Sequence, residues 1–384
     1  MKALFSFEWK LFWQNIKNIV TFLVFLFLCL YLALAVEPNV RPNRKIDVDE
    51  IAATNRDANY FIENSDPIVY QRTVPMFMEL AETTEDLLEA IEQEDYIAVM
   101  ELEDTYYAQN LWRHEGQDPN YYMFGVPQIE REQTMSYDNS AITRHYDFME
   151  EGNYVLSLDI IEGRTAFQAL TRQFQGMLPI VLFIVVIIYG IDIFAEDKKH
   201  PTIIAELPVT RYKHLGVKSV VVFLSFLFTL LLGSFLFAIL TGFRTGFGGL
   251  NLPVPHILYN ISIGRYLLQV FLLLSLIAFI FIRGMAWLSL FTSKALANFI
   301  FIPLLFVGSL WHRTGIAYGQ PQVVFYPPTY FRVGDVVSNY LNFWYGSEVV
   351  TFNTGMLIMI GVWLLVELLI LITLRVRRRS YGIV

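Results

Sequence analysis

Long apolar runs alternate along this chain with short polar segments and one extended polar stretch. A helix of about 20 apolar residues crosses hydrocarbon about 30 Å thick. Six segments reach or approach that length: Ile19–Val36, Met177–Phe194, Val220–Leu240, Tyr266–Ile282, Ala295–Trp311 and Gly355–Leu374. The fourth and fifth are the shortest and carry Gln269 and Asn298, polar groups at membrane depth. Soluble-core helices rarely run so far without charge. The pattern therefore predicts an all-α membrane protein with six transmembrane helices.

Ahead of the first run, "MKALFSFEWKLFWQNIKN" (residues 1–18) sets Leu4, Phe5, Phe12 and Ile16 against Glu8, Lys10, Gln14 and Lys17. Trp9 and Trp13 stack four residues apart in this reading. The spacing predicts an amphipathic N-terminal helix in the membrane interface, its rings at the headgroups. A rival reading takes Ile19–Leu32 and the "ALA" at Ala33–Ala35 as a signal peptide with its cleavage site, although the region before it is long and amphipathic for that role.

The polar stretch 37–172 separates the first two runs. Apolar residues such as Phe77, Leu80, Leu87, Leu88 and Ile91 recur at three- and four-residue spacings, which predicts helices over Asp47–Asn64 and Met76–Glu92. Pro67, Pro75, Pro119 and Pro127 punctuate it. A stretch this long buries a core of its own, so a small, mostly helical domain is expected between the first and second spans.

Composition supports the membrane class: 55% of the 384 residues are hydrophobic and the mean hydropathy is +0.44. The single Cys29 excludes an intrachain disulfide. Charge is unevenly divided. Residues 37–172 hold 28 Asp/Glu against 10 Lys/Arg, a net of −18, while the remainder carries +10 and the whole chain −8. Such acidity repels anions and attracts cationic ligands such as basic peptides; equally, it is what keeps a solvated domain soluble.

Basic residues orient the spans. With the N-terminus inside, 14 fall on the inner side (among them Lys17, Lys198, Lys199, Arg211, Lys213, Lys218, Arg283 and Lys294) and only Arg244, Arg265, Arg313 and Arg332 in short outer loops. Both termini are thus expected in the cytoplasm and the 37–172 domain outside. Residues 195–219 and 283–294 become inner loops, 241–265 and 312–354 outer loops, and 375–384 a basic inner tail. Asp192 and Arg283 fall at the inner edge, within reach of water or of each other.

The residues that self-contained catalysis requires are missing. "GVKS" at Gly216–Ser219 lacks the upstream glycine of a P-loop, and the six His are scattered without an HExxH pair. GxSxG is absent too. An enzyme is not expected, and no metal or cofactor in this chain. One acid lies deep in a span: Glu367, a functional candidate by its cost in hydrocarbon, or else a structural hydrogen-bonding partner of a neighbouring helix.

The sharpest punctuation is "FAEDKKHPTIIAELPVTRYKHLGVKSVVV" between the second and third runs. Ile203, Ile204 and Leu207 are spaced for a short amphipathic helix that Pro208 ends. Lying across two span ends, it would offer Glu206, Thr210 and Arg211 to a soluble partner. This segment resembles the cytoplasmic loop of ABC-2 type permeases, in which an acidic/basic start leads through "LPxxR" to a lysine heading the next span; the matching positions are Glu196, Leu207, Pro208, Val209, Thr210, Arg211 and Lys218. His200-Pro201-Thr202 stand where the family often has Gly-Thr. Layout agrees over most of the chain, whereas motif identity covers about 25 residues.

The resemblance implies the transmembrane subunit of an ABC exporter with a type V exporter-like fold, in a bacterial plasma membrane. It would pair with a second permease chain, identical or not, and with cytoplasmic ATPase subunits that bind ATP and Mg; membrane lipid surrounds it and no nucleic-acid partner is expected. The ATPase-coupling residues are then Glu196, Ile203, Glu206, Leu207, Pro208, Thr210, Arg211 and Lys218, beside Glu367, Gln269 and Asn298, the intramembrane polar positions that the apolar runs themselves single out. "RGMAWLSLFTSKALAN" (Arg283–Asn298) would be a second ATPase contact, or a plain connector. The aromatic loop Tyr326–Val349 would hold short re-entrant helices of an outer gate, or form only an aromatic belt. An amphipathic or cationic substrate is implied. The contrasting reading is a receptor-like immunity or sensing protein whose outer domain captures a peptide without moving it.

Overall fold

The computed structural model describes residues 2–40, 46–66, 68, 73–115, 142–152, 154–193, 209–255, 259–292, 300–301, 305, 321–345 and 348–380. Among these the chain is helical, with one isolated antiparallel bridge between Pro253 and Ser262. It divides into two compact units, one of residues 1–38, 169–243 and 263–384, the other of 39–168 and 244–262.

The first unit holds the apolar helices. Helix α1 (Lys2–Gln14) leads into α2 (Ile16–Tyr31), whose N-terminus Asn15 caps by accepting from the Lys17 amide. A π-helical turn, Leu32–Val36, continues α2. Among the described residues four stretches are long and apolar enough to cross a membrane: Ile16–Asn39, Arg211–Thr245, Ile263–Phe291 and Phe352–Val376. A fifth results if Leu158–Gln175 and Leu178–Asp192, bent by 66° at their junction, count as one broken span. The chain therefore has the helices of a multi-pass membrane protein. The 295–311 run lies largely outside the described residues.

The second unit contains α3 (Val48–Asn64), α4 (Thr73–Glu92), α5 (Tyr96–Glu115), α6 (142–151) and α7 (Leu158–Ile161). Asp47 starts α3 by accepting from the Glu50 amide. Ile51, Leu87, Val99, Met100, Met149 and Ile161 form the core. The apolar spacing in 47–92 thus marks packed helix faces. Residues 244–262, expected as a separate loop, belong to this unit: Ala166 donates its amide to the Gly246 carbonyl and Phe167 to that of Phe247. Gly248 makes that approach possible, because its φ of +73° suits glycine and a Cβ there would lie 2.4 Å from Thr165 Oγ1.

Helix α8 (Ala166–Gln175) precedes α9 (Leu178–Ile193), and α10 (Arg211–Thr245), α11 (Ile263–Phe291) and the terminal α14 (Phe352–Ser380) complete the apolar set. Between the last two, 3-10 turns at Pro321–Phe325 and Pro327–Phe331 lead to α12 (Val333–Val337) and α13 (Tyr340–Tyr345). Helix boundaries differ from the hydropathy limits in one systematic way. Helix α10 begins nine residues before Val220 and α11 runs nine residues beyond Ile282, so 211–219 and 283–291 are helix where loop was expected. Hydropathy ends where charge begins, but the hydrogen bonds of the helix backbone do not depend on side-chain charge and continue through it.

Candidate functional site

The polar residues that extend α10 and α11 past their apolar runs converge on α14. Arg283 of α11 donates from Nε to Glu367 Oε1 at 2.5 Å and from Nη2 to Oε2 at 2.8 Å. Its Nη1 reaches Ser219 Oγ of α10 at 3.0 Å. Tyr212, in the first turn of α10, donates to Glu367 Oε2 at 3.2 Å, and its ring lies 5.7 Å from the guanidinium. Three helices are thereby joined through one planar fork, which only arginine can supply. Glu367 is accounted for here: the carboxylate is neutralised by a buried cation.

A second contact ties α1 to the same stretch of α10. Glu8 Oε1 lies 3.2 Å from His214 Nε2 and 3.8 Å from Lys218 Nζ, and all three side chains are buried. This corrects the amphipathic assignment of α1, which put Glu8 on the solvated face. Burial of Glu8 is compensated by two basic partners from a helix over 200 residues later in sequence, which periodicity cannot register. Trp9 and Trp13 likewise meet edge-on, at 6.2 Å and 60°, and Trp13 packs edge-on against Phe22 and Phe228 as well.

Asp192 and Arg283 do not meet. Asp192 pairs with Lys17 at 3.0 Å, and Lys17 also donates to the Ile188 carbonyl at 2.6 Å. Of the predicted coupling residues, Glu196, Ile203, Glu206, Leu207 and Pro208 lie outside the described residues. Thr210 precedes α10, where its Oγ1 accepts from the Lys213 amide; Arg211 opens the helix, and Lys218 Nζ lies 3.8 Å from Glu8. Gln269 is half-buried 14 residues before Arg283, about 21 Å along α11, and does not join the cluster. Asn298 lies outside the described residues.

A cavity of about 620 Å³ adjoins the Arg283–Glu367 pair, lined by residues of α1, α10, α11 and α14. Along each long helix its lining passes from polar to apolar: Lys213 to Val220 on α10, Arg283 to Phe279 on α11, and Glu367 to Trp363 on α14.

Other buried charges pair elsewhere in the first unit. Arg172 of α8 pairs with buried Glu37 after α2, and Gln173 donates to the same carboxylate at 3.2 Å. Arg332 Nε meets Asp335 Oδ2 at 2.5 Å. Burial pushes the Asp335 carboxyl up to about 6, against the downward pull of Arg332. Gly334 lets this turn seat on α8, since a Cβ there would stand 2.2 Å from the Phe174 carbonyl oxygen. The Tyr330 hydroxyl donates to the Val324 carbonyl at 2.8 Å, closing the 3-10 segment, and burial raises it to about 12. Among the described residues no three His, Cys, Asp or Glu gather as metal ligands.

Comparison with family models, with curated proteins and with solved structures finds no match to this chain. Sequence reasoning missed the Arg283–Glu367 and Glu8–His214–Lys218 contacts. Their only signal was the presence of opposite charges at the margins of apolar runs, which names candidates without pairing them.

Proposed function

We propose that this chain is the permease subunit of an ATP-driven exporter, moving an amphipathic or cationic substrate outward across a bacterial plasma membrane. The observation that carries the reading is the "LPVTR" segment, Leu207–Arg211, which runs directly into the first turn of a 35-residue helix. That helix is about 52 Å long. Its base holds α1 through Glu8, α11 through Ser219–Arg283, and α14 through Tyr212–Glu367. A push on the preceding loop would reach three further helices through ionic and hydrogen-bonded contacts rather than through apolar surfaces that slide.

In this reading the six runs are six spans, with 177–194 and 295–311 as the second and fifth, both termini inside and the 37–172 domain outside. Separate ATPase subunits bind ATP and Mg and grip the loop that includes Glu196, Ile203, Glu206 and Pro208. A second permease chain completes the pathway, and the short helices of 326–349 line an outer gate. The Arg283–Glu367 pair acts as a joint within the moving helices.

The full-length chain, purified from its native membrane in mild detergent, should bring down a nucleotide-hydrolysing subunit; Pro208→Ala with Arg211→Ala should lose it. Unchanged co-purification and transport in the double variant would refute the reading. The acidic surface of the 37–172 domain favours one alternative, capture of a cationic peptide without transport. Proteoliposomes containing chain and ATPase decide between them: ATP-dependent substrate movement supports export, and resistance retained with an ATPase-dead partner supports capture.

A further inference from the structure

The cavity beside Arg283 and Glu367 has the polarity profile of a phospholipid. Over the seven residues from Lys213 to Val220, about 10 Å along α10, its lining changes from cationic to apolar. Phe279 and Trp363 continue the apolar wall one turn inward from the ion pair. Arg283 and Glu367 neutralise each other, which leaves Lys2 and Lys213 as the surplus charge of the lining. Both lysines are exposed, and neither forms an ion pair among the described residues.

Two further features indicate an unfilled site rather than a packing irregularity. The indole nitrogen of Trp363 is buried and has no hydrogen-bond partner among the described residues; a buried Trp N–H ordinarily finds one. Gly216 lines the cavity from within α10, and a Cβ built on it would meet nothing within 4 Å.

We propose that this cavity binds one anionic phospholipid, with its phosphate between Lys2 and Lys213, an ester carbonyl accepting from the Trp363 indole N–H, and an acyl chain along Val220 and Phe279. The two lysines belong to α1 and α10, so the headgroup would bridge helices that Glu8 already joins. Charge selects an anion over a zwitterion or a cationic amphiphile, and the apolar wall selects a lipid over a free phosphate. The inference requires that the chain span a membrane; it does not depend on the exporter reading.

Native mass spectrometry of the full chain in mild detergent, titrated with phosphatidylglycerol or phosphatidylcholine, tests it. One phosphatidylglycerol should be retained per chain in preference to phosphatidylcholine. Lys2→Gln with Lys213→Gln should weaken retention about 30-fold, and Gly216→Leu, which fills the cavity, should abolish it while the lipid-free melting temperature does not fall. The lysine variant alters only exposed side chains and so keeps the test valid should Gly216→Leu misfold. Equal retention of the two lipids, or wild-type retention by the lysine variant, would overturn the proposal. So would displacement of phosphatidylglycerol by inorganic phosphate at an ionic strength where chloride has no effect, which would identify a free-anion site.

Discussion

Arg283 and Glu367, 84 residues apart in sequence, form a two-pronged ion pair at 2.5 and 2.8 Å between α11 and α14. Arg283 is 3% exposed. Desolvating two charges is offset here by two short charge-assisted bonds and a third to Ser219.

Removing one partner strands the other. Glu367→Ala and Arg283→Ala should each cost about 3 kcal/mol, whereas the double apolar replacement Arg283→Met with Glu367→Leu should recover most of that loss. Thermal unfolding followed by size-exclusion in detergent reads the difference. A double variant that loses as much as the two single variants summed would show that the residues act independently and that their pairing contributes nothing.

Glu8 fixes α1 to α10. Glu8→Ala leaves His214 and Lys218 buried around an empty position, so α1 should detach and cleavage near Lys10 by trypsin should accelerate at least several-fold. A conservative Glu8→Gln, which keeps a hydrogen bond to His214 but not the charge opposite Lys218, should be intermediate. Unaltered proteolysis in both variants would mean that the aromatic contacts of Trp13 suffice.

Asp335 makes stability depend on pH in an unusual direction. Its folded carboxyl is raised from 3.8 to about 6, so between those values the folded state holds a proton that the unfolded state has released. The folded protein is then favoured as pH falls from 6 towards 4, and the contribution is lost as pH rises through 6, at most about 3 kcal/mol. The melting temperature of wild type minus that of Asp335→Asn should therefore increase on acidification across this window. A flat difference would show that Arg332 dominates the carboxylate.

Two glycines should respond oppositely to the same change. At Gly334 an added methyl meets the Phe174 carbonyl oxygen at 2.2 Å, a backbone atom that cannot rotate away, and Gly334→Ala should destabilise by about 1–3 kcal/mol. At Gly216 nothing lies within 4 Å, and Gly216→Ala should stabilise α10 by up to about 1 kcal/mol through helix propensity. Paired melting measurements check both signs.

The sequence alone determined the membrane class, the apolar helices over five of the six runs and the helical character of 47–92, because each depends on composition and on local periodicity that the backbone obeys. Residues 211–219 and 283–291 were misread as loops since their charges resemble solvent-facing punctuation. The assignment of 244–262 to the second unit was likewise hidden, resting on backbone bonds from Ala166 and Phe167. Only tertiary structure decided that Glu8 is buried, that Lys17 rather than Arg283 answers Asp192, and that Arg283 answers Glu367. Hydropathy records what each residue costs in hydrocarbon, whereas pairing depends on which helices adjoin, and no periodicity along one chain segment encodes its neighbour.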